Sequence, residues 1–233
     1  MNTRSAETKM RIVALFCRPL TRKLVMATAT ALLISGCFGG GQPGIVPEQY
    51  ALEYAPAVPQ EFFKIPETIT VDKFTTAQMY NTTAMVFQEE PYQRNQYFSH
   101  RWRVNPADLV SGCLLRDLRS AGMFSGVFNY RSSETSRYLL TGDVDEFREY
   151  DDKDGRWAIV SLNAVLLDTS RQELPDRLLF QKNYRFVEPI EGKTPAGLAK
   201  GMSQAVAKVS GLLLDDIFRV ARAQATRKGK ETE

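Results

Sequence analysis

Across 233 residues there is one histidine, and there are only three cysteines. The scarcity of histidine removes the commonest general base, because His100, in Tyr97-Phe98-Ser99-His100-Arg101-Trp102, has no nucleophile-elbow motif to serve. Nor do Cys, His and carboxylates cluster around it at metal-ligand spacing, so a half-buried histidine is the expected state. Glycine-rich phosphate loops are absent, and no cofactor or catalytic set can be assembled from what remains. The reading is of a protein that is not an enzyme.

An acidic run, Asp143, Asp145, Glu146, Glu149, Asp151, Asp152 and Asp154, invites a calcium loop. Setting Gly155 at the sixth place of an EF-hand puts Tyr150 at the first and Ser161 at the twelfth, where oxygen ligands are required. Asp151 to Gly155 instead reads as a hairpin turn between two long strands, and no metal is expected.

Long apolar runs are missing too. Leu24 to Ile34 is an uncharged stretch of 11 residues, roughly 17 Å as a helix against a hydrocarbon core of about 30 Å. It is too short for a comfortable membrane span. Before it stand Arg4, Lys9, Arg11, Arg18, Arg22 and Lys23, and after it comes Ile34-Ser35-Gly36-Cys37. A cationic start, an apolar run and small residues beside a thiol read as a bacterial lipobox. Small side chains suit the signal peptidase, and the thiol is the nucleophile that accepts diacylglycerol. Cys37 is therefore expected to open the mature chain and to carry lipid, palmitate included. The alternative is an ordinary secretion signal with an incidental cysteine.

Loss of residues 1–36 would remove six of the 30 basic and one of the 27 acidic residues, turning a formal +3 into about −2. The basic balance thus belongs to the leader, and a nucleic-acid role loses its electrostatic support. Cys17 would leave with the leader and Cys37 would be acylated, so Cys113 has no disulfide partner and reads as a small buried hydrophobe.

Residues 37–49 form a Gly- and Pro-rich tether, whose 12 residues after the cysteine span roughly 20 Å on average and at most about 40 Å. A single domain is expected over 50–223, followed by a charged, disordered tail at 224–233. Period-two patterns predict strands near 50–55, 67–75, 83–89, 95–104, 136–149, 156–168 and 177–188. In the fourth, alternation groups Phe98, His100, Trp102 and Val104 on one face. Helical spacing predicts 106–121, between Asn105-Pro106 and Gly122, and 195–222, opened by Thr194-Pro195. The second helix carries Leu198, Met202, Ala205, Val206, Val209, Leu213, Ile217 and Val220 on one face, suited to covering a sheet or to meeting lipid. The fold class is α+β, a mixed or antiparallel sheet with two amphipathic helices on one face.

Taken together, the lipobox, Tyr50-Ala51-Leu52-Glu53-Tyr54, Arg101-Trp102 before a proline-opened helix, Leu114 and Leu118 followed by Gly122, Phe124 and Val127, Leu140-Thr141-Gly142-Asp143-Val144 and the closing amphipathic helix form a pattern. It resembles the ABC-type transport auxiliary lipoproteins, which include the paraquat-inducible protein C group. That resemblance implies a cell-envelope protein, lipid-anchored and facing the periplasm. Phe38 in place of an inner-membrane retention aspartate favours the outer membrane. It also implies partnership with an ABC permease, its ATPase and a mammalian-cell-entry domain protein in moving lipids or other hydrophobic molecules between the membranes, with a homo-oligomer conceivable. No catalytic residues are carried over from the family. Tyr92, Tyr97, Arg101 and Tyr130 are the candidate partner-interface residues, since aromatics and Arg are enriched at hot spots; the alternative is that they only rim the core. Two other functions stay open. One is a lipid carrier with an acyl-chain cavity lined by residues such as Met202, Val206 and Leu213. The other is an envelope or secretion-apparatus structural lipoprotein.

Overall fold

A computed structural model describes residues 46–56 and 64–231. The leader, the lipobox with Cys37, and the tether as far as residue 45 lie outside the described residues.

The longest hairpin is the spine of the fold. β7 (Tyr138–Asp152) pairs antiparallel with β8 (Gly155–Asp168) along its whole length, and β8 pairs with β9 (Leu178–Pro189). Asp152 and Gly155 face each other across the turn, where the Asp152 carboxylate accepts hydrogen bonds from the backbone N–H groups of Asp154 (2.8 Å) and Gly155 (2.9 Å). The acidic run is thus spread along a strand, and its first three members find separate partners. Asp143 meets Thr75, Asp145 meets Asn183, and Glu146 meets Arg148 and Arg185.

Three parallel neighbours share the other edge of β7 in succession: β2 (Ile65–Val71), β3 (Thr75–Thr76) and β4 (Ala84–Gln88). The period-two pattern predicts the first two as one strand, 67–75. Phe74 separates them: its ring is buried and its N–H is held by the Ser111 hydroxyl at 3.1 Å, so the chain steps sideways between β2 and β3. Outside β4 lies β5 (Asn95–Trp102), with β1 (Glu48–Tyr50) beyond it, and outside β2 lies β6 (Phe124–Asn129). Strand β6 escaped the sequence reading, being six residues long and mostly half-buried, with Gly126 interrupting its alternation.

The predicted opening strand is displaced. Pairing begins at Glu48, inside the expected tether, and ends at Tyr50. Residues 51–56 then leave the sheet, because their groups find helix side chains: the Glu53 N–H donates to the Ser203 hydroxyl (3.0 Å) and the Tyr54 hydroxyl to Asp117 (2.6 Å). The alternation of buried Leu52 and half-buried Tyr54 is real, but residues 51–56 form no strand ladder.

Helix α1 (Pro106–Ala121) has the predicted ends. The Asn105 side chain accepts from the Asp108 N–H at 3.0 Å, and Gly122 turns the chain in the left-handed region at φ 63°. A one-turn helix α2 (Leu174–Arg177) precedes β9. In α3 (Pro195–Glu231) the Thr194 hydroxyl accepts from the Gly197 N–H at 3.0 Å. The helix continues to Glu231, beyond residue 222 where periodicity predicts its end and through the stretch from 224 expected to be disordered. Ala221, Ala223, Gln224 and Ala225 are good helix formers, and apolar periodicity alone does not register such residues.

Both long helices cover one face of a curled mixed sheet, an α+β fold. Leu198, Met202, Val206, Val209, Leu213 and Ile217 from α3, which lies over β8 and β9, and Val110, Leu114 and Leu118 from α1, which lies over β6, β7 and β2, are fully buried in one core with Val160, Leu162, Ala164 and Leu166 of β8. Each such leucine or isoleucine contributes about 1.5–3 kcal/mol relative to exposure. At Gly142 of β7 a Cβ would lie 2.2 Å from the Asn163 carbonyl and 2.9 Å from the Phe74 ring, so only glycine fits. Among the described residues no helix is long and apolar enough to cross a membrane.

Candidate functional site

β4 runs parallel to β7, and its last residues, Phe87 and Gln88, face Glu149 and Tyr150. The β4–β5 turn therefore lies at the same end of the sheet as the β7–β8 turn. Tyr92 sits at its tip, fully exposed and at φ 66°. Between β4 and β5 the register slips: Ala84 faces Arg101, yet Val86 faces Gln96. That irregularity breaks the predicted common face. Trp102 is 2% exposed and packs edge-on against Phe147 at 5.2 Å, whereas Phe98 is 82% exposed. His100 is half-buried, its Nδ1 3.3 Å from the Tyr50 hydroxyl and 3.4 Å from the Glu48 carboxylate.

Tyr97 points inward. Its hydroxyl donates to Glu149 Oε2 (2.8 Å) and accepts from Arg156 Nη2 (2.8 Å), while its ring packs on Phe87 at 5.0 Å. Arg156 also pairs with Glu149 and with Asp151. Burial pushes the Tyr97 hydroxyl up to about 12, reinforced by Glu149. Glu149 is fully buried, and burial first, then the Asp151 carboxyl, pushes it up to about 7 against Tyr97 and Arg156. A folded-state value above the ordinary 4.5 means that the folded protein holds this proton more tightly. Its stabilising contribution is full below about 4.5 and is lost as pH rises towards 7. Glu149→Gln should therefore flatten the pH profile of unfolding free energy across that window, by up to about 3 kcal/mol. Denaturant titrations of both proteins at several pH values measure this, and parallel profiles would contradict it.

Arg101 is half-buried within β5, flanked by Gln49 of β1 and Ala84 of β4. Tyr130 lies elsewhere, in the loop after β6. It is 45% exposed, and Arg131 stacks over its ring (5.3 Å) and donates to its hydroxyl (3.0 Å). It lines a cleft of about 360 Å3 over α1 with Val71, Lys73, Val104, Gly112 and Leu115. None of Tyr92, Tyr97 and Arg101 lines that cleft, so the four candidates do not form one patch.

Between α1 and α3 sits a polar cluster that sequence reasoning passed over. Asp117 is fully buried and accepts from the Tyr54 and Ser210 hydroxyls, each at 2.6 Å, and from Arg116 Nε at 2.9 Å. Arg116 lies 4.3 Å from the centre of the Tyr54 ring. Burial pushes the Tyr54 hydroxyl far up, and Cys113 and Asp117 add to the shift. The neighbouring Cys113 is buried as expected, and burial raises its thiol, leaving a poor nucleophile. A carboxylate on the apolar face of α1, three residues after Leu114, was the available signal. Met202, Val206 and Leu213 are fully buried in the core, and none of them lines the Tyr130 cleft.

Known structures share this architecture. A crystal structure of a Xanthomonas campestris protein matches with TM-score 0.68 and 18% identity, covering 76% of this chain and 99% of that one. A Chlamydia trachomatis protein matches with TM-score 0.50 and 8% identity, over 68% and 99%. At these identities the likeness concerns the fold alone. Comparison with curated proteins gives no match. The family model described as "ABC-type transport auxiliary lipoprotein component" matches residues 50–211, from the last residue of β1 to the middle of α3. The chain belongs to the family of ABC-type transport auxiliary lipoprotein components.

Proposed function

We propose that the protein is a non-enzymatic scaffold, anchored through lipid on Cys37 to the periplasmic face of the outer membrane. There it holds a mammalian-cell-entry domain protein, and through it an ABC permease and ATPase, in a system that moves phospholipid or other hydrophobic molecules between the membranes. The observation that carries this reading is the family match across nearly the whole domain. Two features of the fold support it. The two long helices and the sheet share one continuous cluster of buried apolar side chains, which suits a rigid body that holds a partner. The Tyr130 cleft offers an aromatic and an arginine beside exposed Val104, the composition of an interface anchor.

The test is affinity purification from solubilised envelopes with a tag after Glu233. A mammalian-cell-entry subunit should co-purify, and Tyr130→Ala should reduce its yield at least about tenfold, the equivalent of about 1.4 kcal/mol. Consistent absence of any transporter component would count against the assignment.

A further inference from the structure

Three exposed apolar side chains lie towards the end of the sheet at which the chain enters the domain. β1 runs parallel to β5 with Glu48 opposite His100, so Val46, two residues earlier, comes level with Phe98. Val46 is 86% exposed and Phe98 82%. Phe98 lies in the first half of β5, just after the turn that carries the fully exposed Tyr92. Another exposed apolar residue, Leu178, starts β9 opposite Leu167, which faces Leu139 at the far end of β7. Ten residues of β7 separate that level from Glu149, roughly 33 Å at about 3.3 Å per residue.

Tyr92 also occupies a backbone conformation that disfavours it. At φ 66° a bulky side chain is strained where glycine or asparagine would be at ease. Folding does not ask for a tyrosine at this tip, since its ring is wholly exposed.

We infer that this end of the domain, with Tyr92, Phe98 and Val46, seats on the surface of the lipid bilayer beside the acyl anchor. The inference rests on the lipid-anchor reading of Cys37. Val46 is nine residues on from Cys37, a reach of at most about 30 Å, so the anchor confines this end to the bilayer's vicinity. Such tethering supplies an effective concentration on the order of millimolar, at which shallow insertion of two aromatic rings suffices. Glu89 and Glu90 flank the tip against Arg94 alone, so attraction to anionic headgroups contributes nothing. Burial of the rings at the headgroup level drives the contact, and neutral lipid supports it.

The experiment uses the full mature chain, with Cys37 acylation checked by intact mass, reconstituted in phosphatidylethanolamine and phosphatidylcholine vesicles that contain brominated acyl chains. Tyr92→Trp and Phe98→Trp each add one tryptophan to the native Trp102 and Trp157. The added emission should be blue-shifted and quenched roughly twofold, as for a ring within about 5–10 Å of the headgroup boundary. Tyr92→Gly should raise or preserve the melting temperature while making the β4–β5 turn accessible to protease in vesicles. An acylated chain with solvent-like, unquenched emission overturns the inference and leaves the anchor standing. Protection of the turn only after a periplasmic protein is added overturns it too, in favour of a protein contact. An unmodified Cys37 overturns both.

Discussion

Cys37→Ala is expected to move the protein from the membrane to the soluble fraction, or to halt it as an unprocessed precursor, and to abolish incorporation of radiolabelled palmitate. The size of the effect follows from what would hold the chain. Each buried methylene contributes about 0.8 kcal/mol, and one myristoyl chain alone holds only marginally, so the two or three chains of a bacterial lipoprotein make attachment effectively permanent. Among the described residues no helix can take over. Val46, Tyr92 and Phe98 could keep contact only through shallow, partial burial, and a fully buried side chain of their kind is worth about 1.5–3 kcal/mol. Without the tether that contact falls below what fractionation detects. Unchanged fractionation together with unchanged label would rule out Cys37 as the anchor.

Helix ends and long strands were legible in the sequence because their causes are local. Asn105-Pro106, Thr194-Pro195 and Gly122 act within one turn of the chain, and β7 and β8 alternate over 14 or 15 residues with Asp152 and Gly155 between them. What escaped depends on contacts distant in sequence. Strand β6 exists because β2 lies beside it in parallel, with Ile69 opposite Val127. Phe98 and Trp102 share a period-two face on paper, and only the slipped register against β4 separates them. Tyr97 was readable as an interface aromatic, yet its hydroxyl is taken up by Glu149 and Arg156, which are 52 and 59 residues away. Tyr92 was legible as a surface aromatic, but its left-handed backbone and its position at the β7–β8 turn end of the sheet follow from the fold.

Asp117→Ala is the internal substitution expected to cost most, because that carboxylate clamps the entry segment to both long helices. Tyr54 comes from residues 51–56, Arg116 from α1 and Ser210 from α3, and all three donate to Asp117. Alanine would strand two hydroxyls in the interior, each costing about 1–3 kcal/mol when left without an acceptor. Arg116 is 37% exposed and can turn to solvent, so its ion pair adds little beyond the hydroxyls. A loss of about 2–5 kcal/mol is expected, a large share of the stability of a typical domain. Tyr54→Phe removes one donor, leaves Ser210 and Arg116 on the carboxylate, and should cost only about 1 kcal/mol. Denaturant unfolding of the three proteins measures both values. Equal losses would show that Tyr54 alone holds the segment, and a loss below about 0.5 kcal/mol for Asp117→Ala would mean that the cluster is dispensable. The clamp bears on function as well as stability. Residues 51–56 follow directly on β1, so any pull from a lipid at Cys37 enters the domain through β1 and is next resisted at Glu53–Ser203 and Tyr54–Asp117. Asp117→Ala should accordingly raise hydrogen exchange at residues 51–56 well before global unfolding, while the β7–β8 hairpin stays protected.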